Sequence, residues 1–440
     1  MGALWSSRPP SSILIVGSGV FGLATAYSLS KNDTFANTSI TLVDRQPFPA
    51  PDSSSIDTSR IVRPDYASKP YANLAATSQN LWRTTFAPEH YHENGLVLSA
   101  SASSTPYVKA SLENVGSLET CRVEELNTEE DIRRVSRIEG KSGETGYVNW
   151  SSGWVDAEGA MRWLRLETEK LNRVTFVTAS VSKLLIKHAT NTVNGVSLQD
   201  GGKLEAELVI LAAGAWTPSL LDLRGLCKST GQILVYLPIT DAEQTRLQSS
   251  PTILNMSTGM FMIPPSRNLL KIARHGHGYT NPTTIPHPES SDPDERITVS
   301  LPYTAINDPT QAVPEEGLQT CRSFLSDIHP SLSVPSRPFT KSRICWYTDT
   351  PTGDFLISYH PTYKGLFVAT GGSGHAFKFL PVIGDKVLEC VMGRTPEEFK
   401  GKWEWPKERV LEERWEGDGS RGGPVGMVLA EEMARRRSRM

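Results

Sequence analysis

Cysteine is scarce: five residues in a chain of 440, an odd number at wide spacing. This excludes a disulfide framework and points to a reducing compartment. No Cys-x-x-Cys or His-x-x-x-His pair is present, so no metal site is expected. An excess of charge of one sign is missing too. The formal net charge is −3, which offers no general attraction to nucleic acid. No apolar run is long enough to cross a bilayer. The first residues lack a charged stretch followed by an apolar one, which argues against a secretory signal. There is no internal repeat. With 38% hydrophobic and 21% charged residues, the composition fits a globular protein with room for two domains of ordinary size.

Glycine, in contrast, is placed with purpose. An apolar run, Ile13-Leu14-Ile15-Val16, leads into Gly17-Ser18-Gly19-Val20-Phe21-Gly22, and a helix-like segment follows over 23–30. A second apolar run, Ile40-Thr41-Leu42-Val43, ends in Asp44 and Arg45. Strand, glycine turn, helix, strand and acid in this order suit an adenine dinucleotide. Gly17 allows the tight turn, Gly19 lets the backbone approach a pyrophosphate, and Gly22 lets helix pack on strand. The helix N-terminus offers free N–H groups and a partial positive charge to phosphate. Asp44, 22 residues after Gly22, can accept hydrogen bonds from a ribose. The bland alternative is a plain glycine-rich turn, and the motif alone does not choose between NAD and FAD.

Further along, a Pro/Ser-rich loop over 47–55 precedes Thr58-Ser59-Arg60-Ile61-Val62-Arg63. The pattern predicts a helix over 70–86, a strand at 95–98, and helix-like charge patterning over 123–137. Asp156 is placed to cap an amphipathic helix to about 171. Strand signals follow at 174–177 and 181–186, and the apolar run 208–211 enters Ala212-Ala213-Gly214-Ala215-Trp216 as a second crossing of a dinucleotide site would. Between 223 and 340 the chain reads as an inserted unit: strands at 232–237, 260–263 and 269–273, a proline-rich loop over 281–294, and a capped helix over 314–327. A return to the first domain is predicted through 344–347, 355–357 and 366–369. The last strand enters Thr370-Gly371-Gly372-Ser373-Gly374-His375, a second glycine turn that opens a helix over 378–391. The charged, Trp-rich tail after about 395 receives no role.

Taken together, these segments resemble the FAD-dependent amine oxidases of the sarcosine oxidase group, with the fungal fructosyl-amine, saccharopine and pipecolate oxidases. The resemblance runs from Leu14 to about Gly393. It implies an α/β fold: a discontinuous FAD-binding Rossmann-like domain (10–85, 150–222, 341–395) with an inserted α+β substrate domain over a mixed sheet (86–149, 223–340), and a tail at 396–440. Its strongest part is Ser342-Arg343-Ile344-Cys345-Trp346-Tyr347-Thr348-Asp349-Thr350. In the family this cysteine carries the flavin through a thioether, so the resemblance makes Cys345 the covalent anchor. By its residue type alone it reads as an inert buried thiol. Attachment needs a thiolate and hence nearby cations, of which Arg343 is close in sequence.

The other matches imply a site. Gly372, Gly374 and His375 belong to a turn that would stabilise negative charge on the flavin, although Ala376 stands where relatives usually have glycine. Lys378 and Arg63 match the residues that hold the substrate carboxylate, a two-point clamp. Lys378 alone reads as a surface lysine in a first helical turn, where it would oppose the dipole. Ser59 and Arg60 would sit near the flavin. Lys271 would promote electron transfer to oxygen, and His275, on the same strand face, would meet the substrate. Without the family, Lys271 is an ordinary solvated strand lysine, and His277 belongs to solvent or loop. Val181 would contact adenine through its backbone; Val20, Ala213, Gly214 and Trp216 complete the FAD site. Ile56 stands where the bacterial sarcosine enzymes carry histidine, which argues against sarcosine itself. The apolar strand 260–263 hints at a bulky substrate.

The expectation is a flavin-dependent oxidase. A secondary amine, an N-substituted amino acid, becomes an imine, and O2 becomes H2O2. The expected partners are a small-molecule amine and O2, with no nucleic acid, membrane or metal; relatives are often monomers. Open alternatives are a flavin amine dehydrogenase with another acceptor, a fructosyl-amino-acid oxidase, an NAD-dependent dehydrogenase, and a non-catalytic flavin-bound protein. Met1-Gly2-Ala3-Leu4-Trp5-Ser6 formally matches a myristoylation pattern. Ser438-Arg439-Met440, after Arg435-Arg436-Arg437, is related to the Ser-Lys-Leu peroxisomal address, which would suit a peroxide producer. The alternatives are a solvated basic helix end and a cytoplasmic enzyme.

Overall fold

The computed structural model describes residues 8–101, 105–309, 313–411, 415 and 417–437; both terminal address-like signals lie outside them. Its first sheet has six strands in the order Leu356–Tyr359, Leu366–Thr370, Leu208–Leu211, Ser12–Val16, Ser39–Asp44, Val174–Thr178. Five run parallel, and the edge strand Leu356–Tyr359 is antiparallel to its neighbour. Such strands are buried on both faces, which explains their unbroken Val/Ile/Leu runs. On one face lie the helices Val20–Lys31 and Leu380–Val391. They approach so closely that a Cβ on Gly384 would stand 2.1 Å from the Ala24 carbonyl oxygen. The predicted cap holds: the Asp156 carboxylate accepts from Gly159 N–H at 3.1 Å and opens the helix Ala157–Lys170. The strand Val181–Lys187 stands outside this sheet, in a three-stranded one with Thr192–Leu198 and Lys203–Glu205.

The second sheet has ten strands and is mixed, with Lys228–Pro238 at its centre. Its side chains alternate between two faces, as the pleat requires. Ile233, Val235, Met260, Met262, Leu270, Ile272, Ile344 and Trp346 face a core shared with the helix Glu315–Ile328. Leu234, Phe261, Ile263, Ala273 and Cys345 face the other way, as do Lys271 and Tyr236 by register. Each fully buried aliphatic side chain in these cores is worth about 1.5–3 kcal/mol. The second face looks toward the carboxyl ends of the first sheet's parallel strands, where open α/β sheets bind their ligands.

Four expectations need correction. The strand Lys341–Asp349 does not return to the first sheet; it pairs antiparallel with Lys228–Pro238 throughout its length, and the return comes at Leu356–Tyr359. Its alternating pattern suits a sheet with two different faces. The proline-rich loop contains a hairpin, Pro282–Pro286 with Arg296–Ser300, where the prolines sit on an edge. The segment 123–137 opens with a strand, Val123–Leu126, before the helix Glu129–Ser136. In the strand Met260–Ser266, Met260 and Met262 pack into the core beneath the helix, so only Phe261 and Ile263 support the bulky-substrate reading.

Candidate active site

The glycine turn forms a cradle that side chains would fill. Gly17 has φ +105°, and a Cβ there would lie 2.5 Å from the Ala212 carbonyl oxygen. At Gly19 it would lie 2.9 Å from Ser55 Oγ, and at Gly22 1.8 Å from the Gly17 oxygen. Ser55 Oγ accepts from Val20 N–H, one of the helix's free donors (3.0 Å). Beyond the turn lies a cavity of about 520 Å3, lined by Gly17, Gly19, Val20, Asp44, Arg45, Val181, Ala213, Gly214, Trp216, Gly372 and Gly374. The size suits an extended cofactor, and the glycine cradle suits its pyrophosphate. Gly22 serves packing and does not line the cavity. Asp44 Oδ2 accepts from Ser18 N–H at 2.7 Å and from Ser18 Oγ at 2.6 Å. Arg45 pairs with Asp52 and lies over the Trp216 ring at 3.9 Å, forming a wall.

Behind Arg60, which lines this cavity, stands its ion-pair partner Asp57, which sequence reasoning missed. Its buried carboxylate receives Lys271 Nζ at 2.7 Å, and also Arg60 Nη1 and the Tyr236 hydroxyl. Lys271 Nζ is held as well by the Ser59 carbonyl at 2.7 Å, so Ser59 acts through its backbone. Burial would raise the Asp57 carboxyl, but Lys271, Arg60 and Arg343 hold it well below the usual range. Burial pulls Lys271 down to about 8, against the attraction of Asp57. Cys345 is buried, and Arg60 Nη2 lies 3.6 Å from its sulfur. Arg343, the cation nearest in sequence, instead donates to the Ser53 carbonyl at 2.9 Å. The cation on the sulfur therefore comes from the Ser59-Arg60 segment.

The second cluster gathers Arg63, Lys378, Tyr66 and His375. Lys378 is not on a surface helix. It lies in the short 3₁₀ turn Phe377–Phe379, buried, with its carbonyl held by Ser78 Oγ (2.6 Å) and Trp82 Nε1 (2.9 Å). Its ammonium donates to Tyr66 Oη at 2.8 Å and to the His375 carbonyl at 3.0 Å, which leaves a third N–H uncommitted. Burial and then Arg63 push the Lys378 ammonium well below its ordinary value. The Arg63 guanidinium lies over the same tyrosine ring at 5.1 Å, and its Nη1 is buried with no hydrogen-bond partner. The Tyr107 hydroxyl stands beside it, also without a hydrogen bond of good geometry. Among the described residues neither Arg63 nor Lys378 forms an ion pair.

His375, expected at the cofactor, turns to this cluster. Ser373 (φ +44°) and Gly374 (φ +71°) redirect the chain there. The ring lies 4.8 Å from Phe355, with Nδ1 2.9 Å from the Tyr66 hydroxyl and Nε2 2.9 Å from the Gly353 carbonyl. A carbonyl only accepts, so Nε2 carries the proton and Nδ1 accepts from Tyr66. Burial, with Lys378 beside it, lowers His375 to about 3 and keeps it neutral. His275 stands near both cations: burial and then Arg421, Arg63 and Lys378 hold its ring well below the ordinary histidine value. The tail, given no role from sequence, reaches this place. Arg421 donates to Asp349 Oδ1 (2.5 Å), the Gly276 carbonyl (2.7 Å) and the Ser373 carbonyl (2.9 Å). His277 lines a second cavity, about 440 Å3, together with His375, Asp418 and Arg421.

The chain is similar to known proteins over most of its length. The family model described as "FAD dependent oxidoreductase" matches residues 12–389. An amino acid oxidase of Aspergillus flavus, imqH, is 32% identical, covering 90% of this chain and 98% of its own. The L-saccharopine oxidase of Schizosaccharomyces pombe is 30% identical over 92% and 95%. Among solved structures, the deglycating fructosamine oxidase Amadoriase II of Aspergillus fumigatus superimposes with a TM-score of 0.83 at 27% identity, covering 96% of both chains.

Proposed function

The chain belongs to the FAD dependent oxidoreductase family, and on that premise we propose that it oxidises an N-substituted amino acid, a secondary amine, to the imine while O2 becomes hydrogen peroxide. One observation carries the choice of substrate: the buried, unpartnered Nη1 of Arg63 beside the Lys378 ammonium. Two buried cations with no carboxylate in ion-pair contact, Asp65 and Asp418 acting on them only from further away, are costly unless the ligand brings an anion. A carboxylate satisfies both and fixes the amine relative to them. Bound FAD supplies the two-electron chemistry. The protein's part is orientation and electrostatics. Arg63 and Lys378 hold the carboxylate, Tyr66 and His375 hold Lys378 in place, and Lys271 puts positive charge where O2 is reduced.

Cys345 is our candidate for a covalent link to FAD, with the Arg60 guanidinium 3.6 Å from its sulfur. In-gel flavin fluorescence after denaturing electrophoresis tests this: a fluorescent wild-type band that is lost in Cys345→Ser is expected. A dark wild-type band from a yellow protein contradicts the linkage and leaves FAD non-covalent. Peroxide release across N-substituted amino acids then tests the substrate class. Fructosyl amino acids belong to that class and to the assay, because Amadoriase II is a fructosamine oxidase. We read Ser438-Arg439-Met440 as a peroxisomal address, which would confine the peroxide; loss of organelle targeting on deleting the three residues checks it.

A further inference from the structure

The strand Leu269–Arg274 runs on into His275, whose two ring nitrogens have different surroundings. Nε2 lies 3.4 Å from Ser420 Oγ, whereas Nδ1 makes no hydrogen bond to any described residue. Ser420 is itself tied to Asp418: its hydroxyl lies 2.5 Å, and its backbone N–H 3.0 Å, from the same oxygen, Oδ1. An ionised carboxylate accepts and cannot donate. The hydroxyl proton of Ser420 is thereby committed to Asp418, and the Ser420 oxygen faces His275 as an acceptor. Nε2 must supply the proton for that contact. A neutral imidazole carries one N–H, so Nδ1 is left as a bare lone pair on a ring that feels the charges of Arg63 and Lys378.

The loop that carries this relay is anchored by Arg421, which ties it to Asp349, Gly276 and Ser373; a Cβ added on Gly419 (φ +79°) would lie 3.9 Å from the Tyr107 ring. We propose that the tail loop 418–420 is a positioning device for the oxidation: Asp418, acting through Ser420, holds His275 as the Nε2–H tautomer, so that Nδ1 accepts the N–H of the substrate amine. The proposal rests on the substrate reading above and adds a contact on nitrogen to the clamp on the carboxylate. Two fixed points restrict rotation between carboxylate and amine, which sets where the reacting C–H lies.

The test is the tautomer itself, read by long-range 1H–15N correlation on histidine-labelled holoenzyme, with His275→Asn to assign the signal. The Nε2–H pattern is expected in the wild type. Ser420→Ala removes the acceptor and Asp418→Asn removes the carboxylate that orients it, so both should lose the pattern; Ser420→Thr should keep it. In turnover of an N-substituted amino acid, Ser420→Ala should lower kcat/KM by about tenfold, the scale of one lost hydrogen bond, with Ser420→Thr restoring it. Flavin content and melting temperature should stay constant across the series. A wild-type Nδ1–H pattern, or equal kinetic losses in Ser420→Ala and Ser420→Thr, overturns the relay. If the tautomer behaves as stated while no N-substituted amino acid reduces the flavin, the relay stands and the substrate reading fails.

Discussion

Lys271 and Asp57 form an ion pair with almost no solvent on either side. Nζ lies 2.7 Å from Oδ2, and the side chains are 3% and 1% exposed. The carboxylate serves Arg60 as well, and through it the Cys345 sulfur. One acid thus couples the proposed oxygen-reducing cation to the proposed flavin anchor.

Removal of charge from this pair should have unequal costs. Asp57→Asn leaves Lys271 and Arg60 both short of their anion and should destabilise by about 3–5 kcal/mol, the range for a broken buried pair. Lys271→Met leaves Asp57 its Arg60 and tyrosine partners, so the loss should be smaller. Urea unfolding of the two variants measures the order; a costlier Lys271→Met contradicts it.

Lys271→Met should slow reoxidation by O2 and leave flavin reduction by the amine nearly unchanged, as stopped-flow traces of the separate half-reactions will show. Equal loss of both steps, or of neither, counts against an oxygen role. The pH dependence has a definite sign. Burial lowers Lys271 to about 8, so the ammonium prevails below that pH and is lost above it. The wild-type reoxidation rate should therefore fall as pH rises through this region, with the break displaced upward by any negative charge bound beside the lysine. The Met variant should lack that break.

Loss of either clamp cation should affect acids more than esters. Arg63→Met and Lys378→Met should each lower kcat/KM for an N-substituted amino acid by about 30-fold or more, since on the proposed reading each variant leaves a buried carboxylate short of one cation. On the methyl ester of the same substrate the wild type should do little better than the variants. Steady-state peroxide release compares them; an ester that works as well as the acid contradicts carboxylate recognition.

The glycine cradle predicts a contrast within one residue type. Gly22→Ala puts a Cβ 1.8 Å from backbone oxygen and should yield protein depleted in FAD or insoluble. Gly116→Ala, with nothing within 4 Å of the added carbon, should load FAD normally. The ratio of flavin to protein absorbance decides.

Much of the site follows a period of two that is visible in the residues. Lys271, Ala273 and His275 alternate with Leu270 and Ile272, and Cys345 alternates with Ile344 and Trp346; the sheet faces divide them just so. The turn from Gly17 to Asp44 was legible for a similar reason, because strand, turn and helix follow one another in sequence. The same alternation, applied to Met260 and Met262, would have sent them to the core. What stayed hidden depends on contacts between distant segments. Asp57 looks like one acid in a polar loop until Lys271, 214 residues later, folds onto it. Ser420 meets His275 across 145 residues. A tail loop such as 417–421 has no periodic face, so nothing local announces that it reaches the site.

The most direct test of the central claim is anaerobic titration of the purified yellow protein with N-substituted amino acids, followed by admission of O2. Stoichiometric bleaching of the flavin by an acid substrate, then rapid recovery of colour with one H2O2 per turnover, is the predicted result. A flavin that no such amine reduces, or one reduced but regaining its colour only with an electron carrier in place of O2, would contradict it.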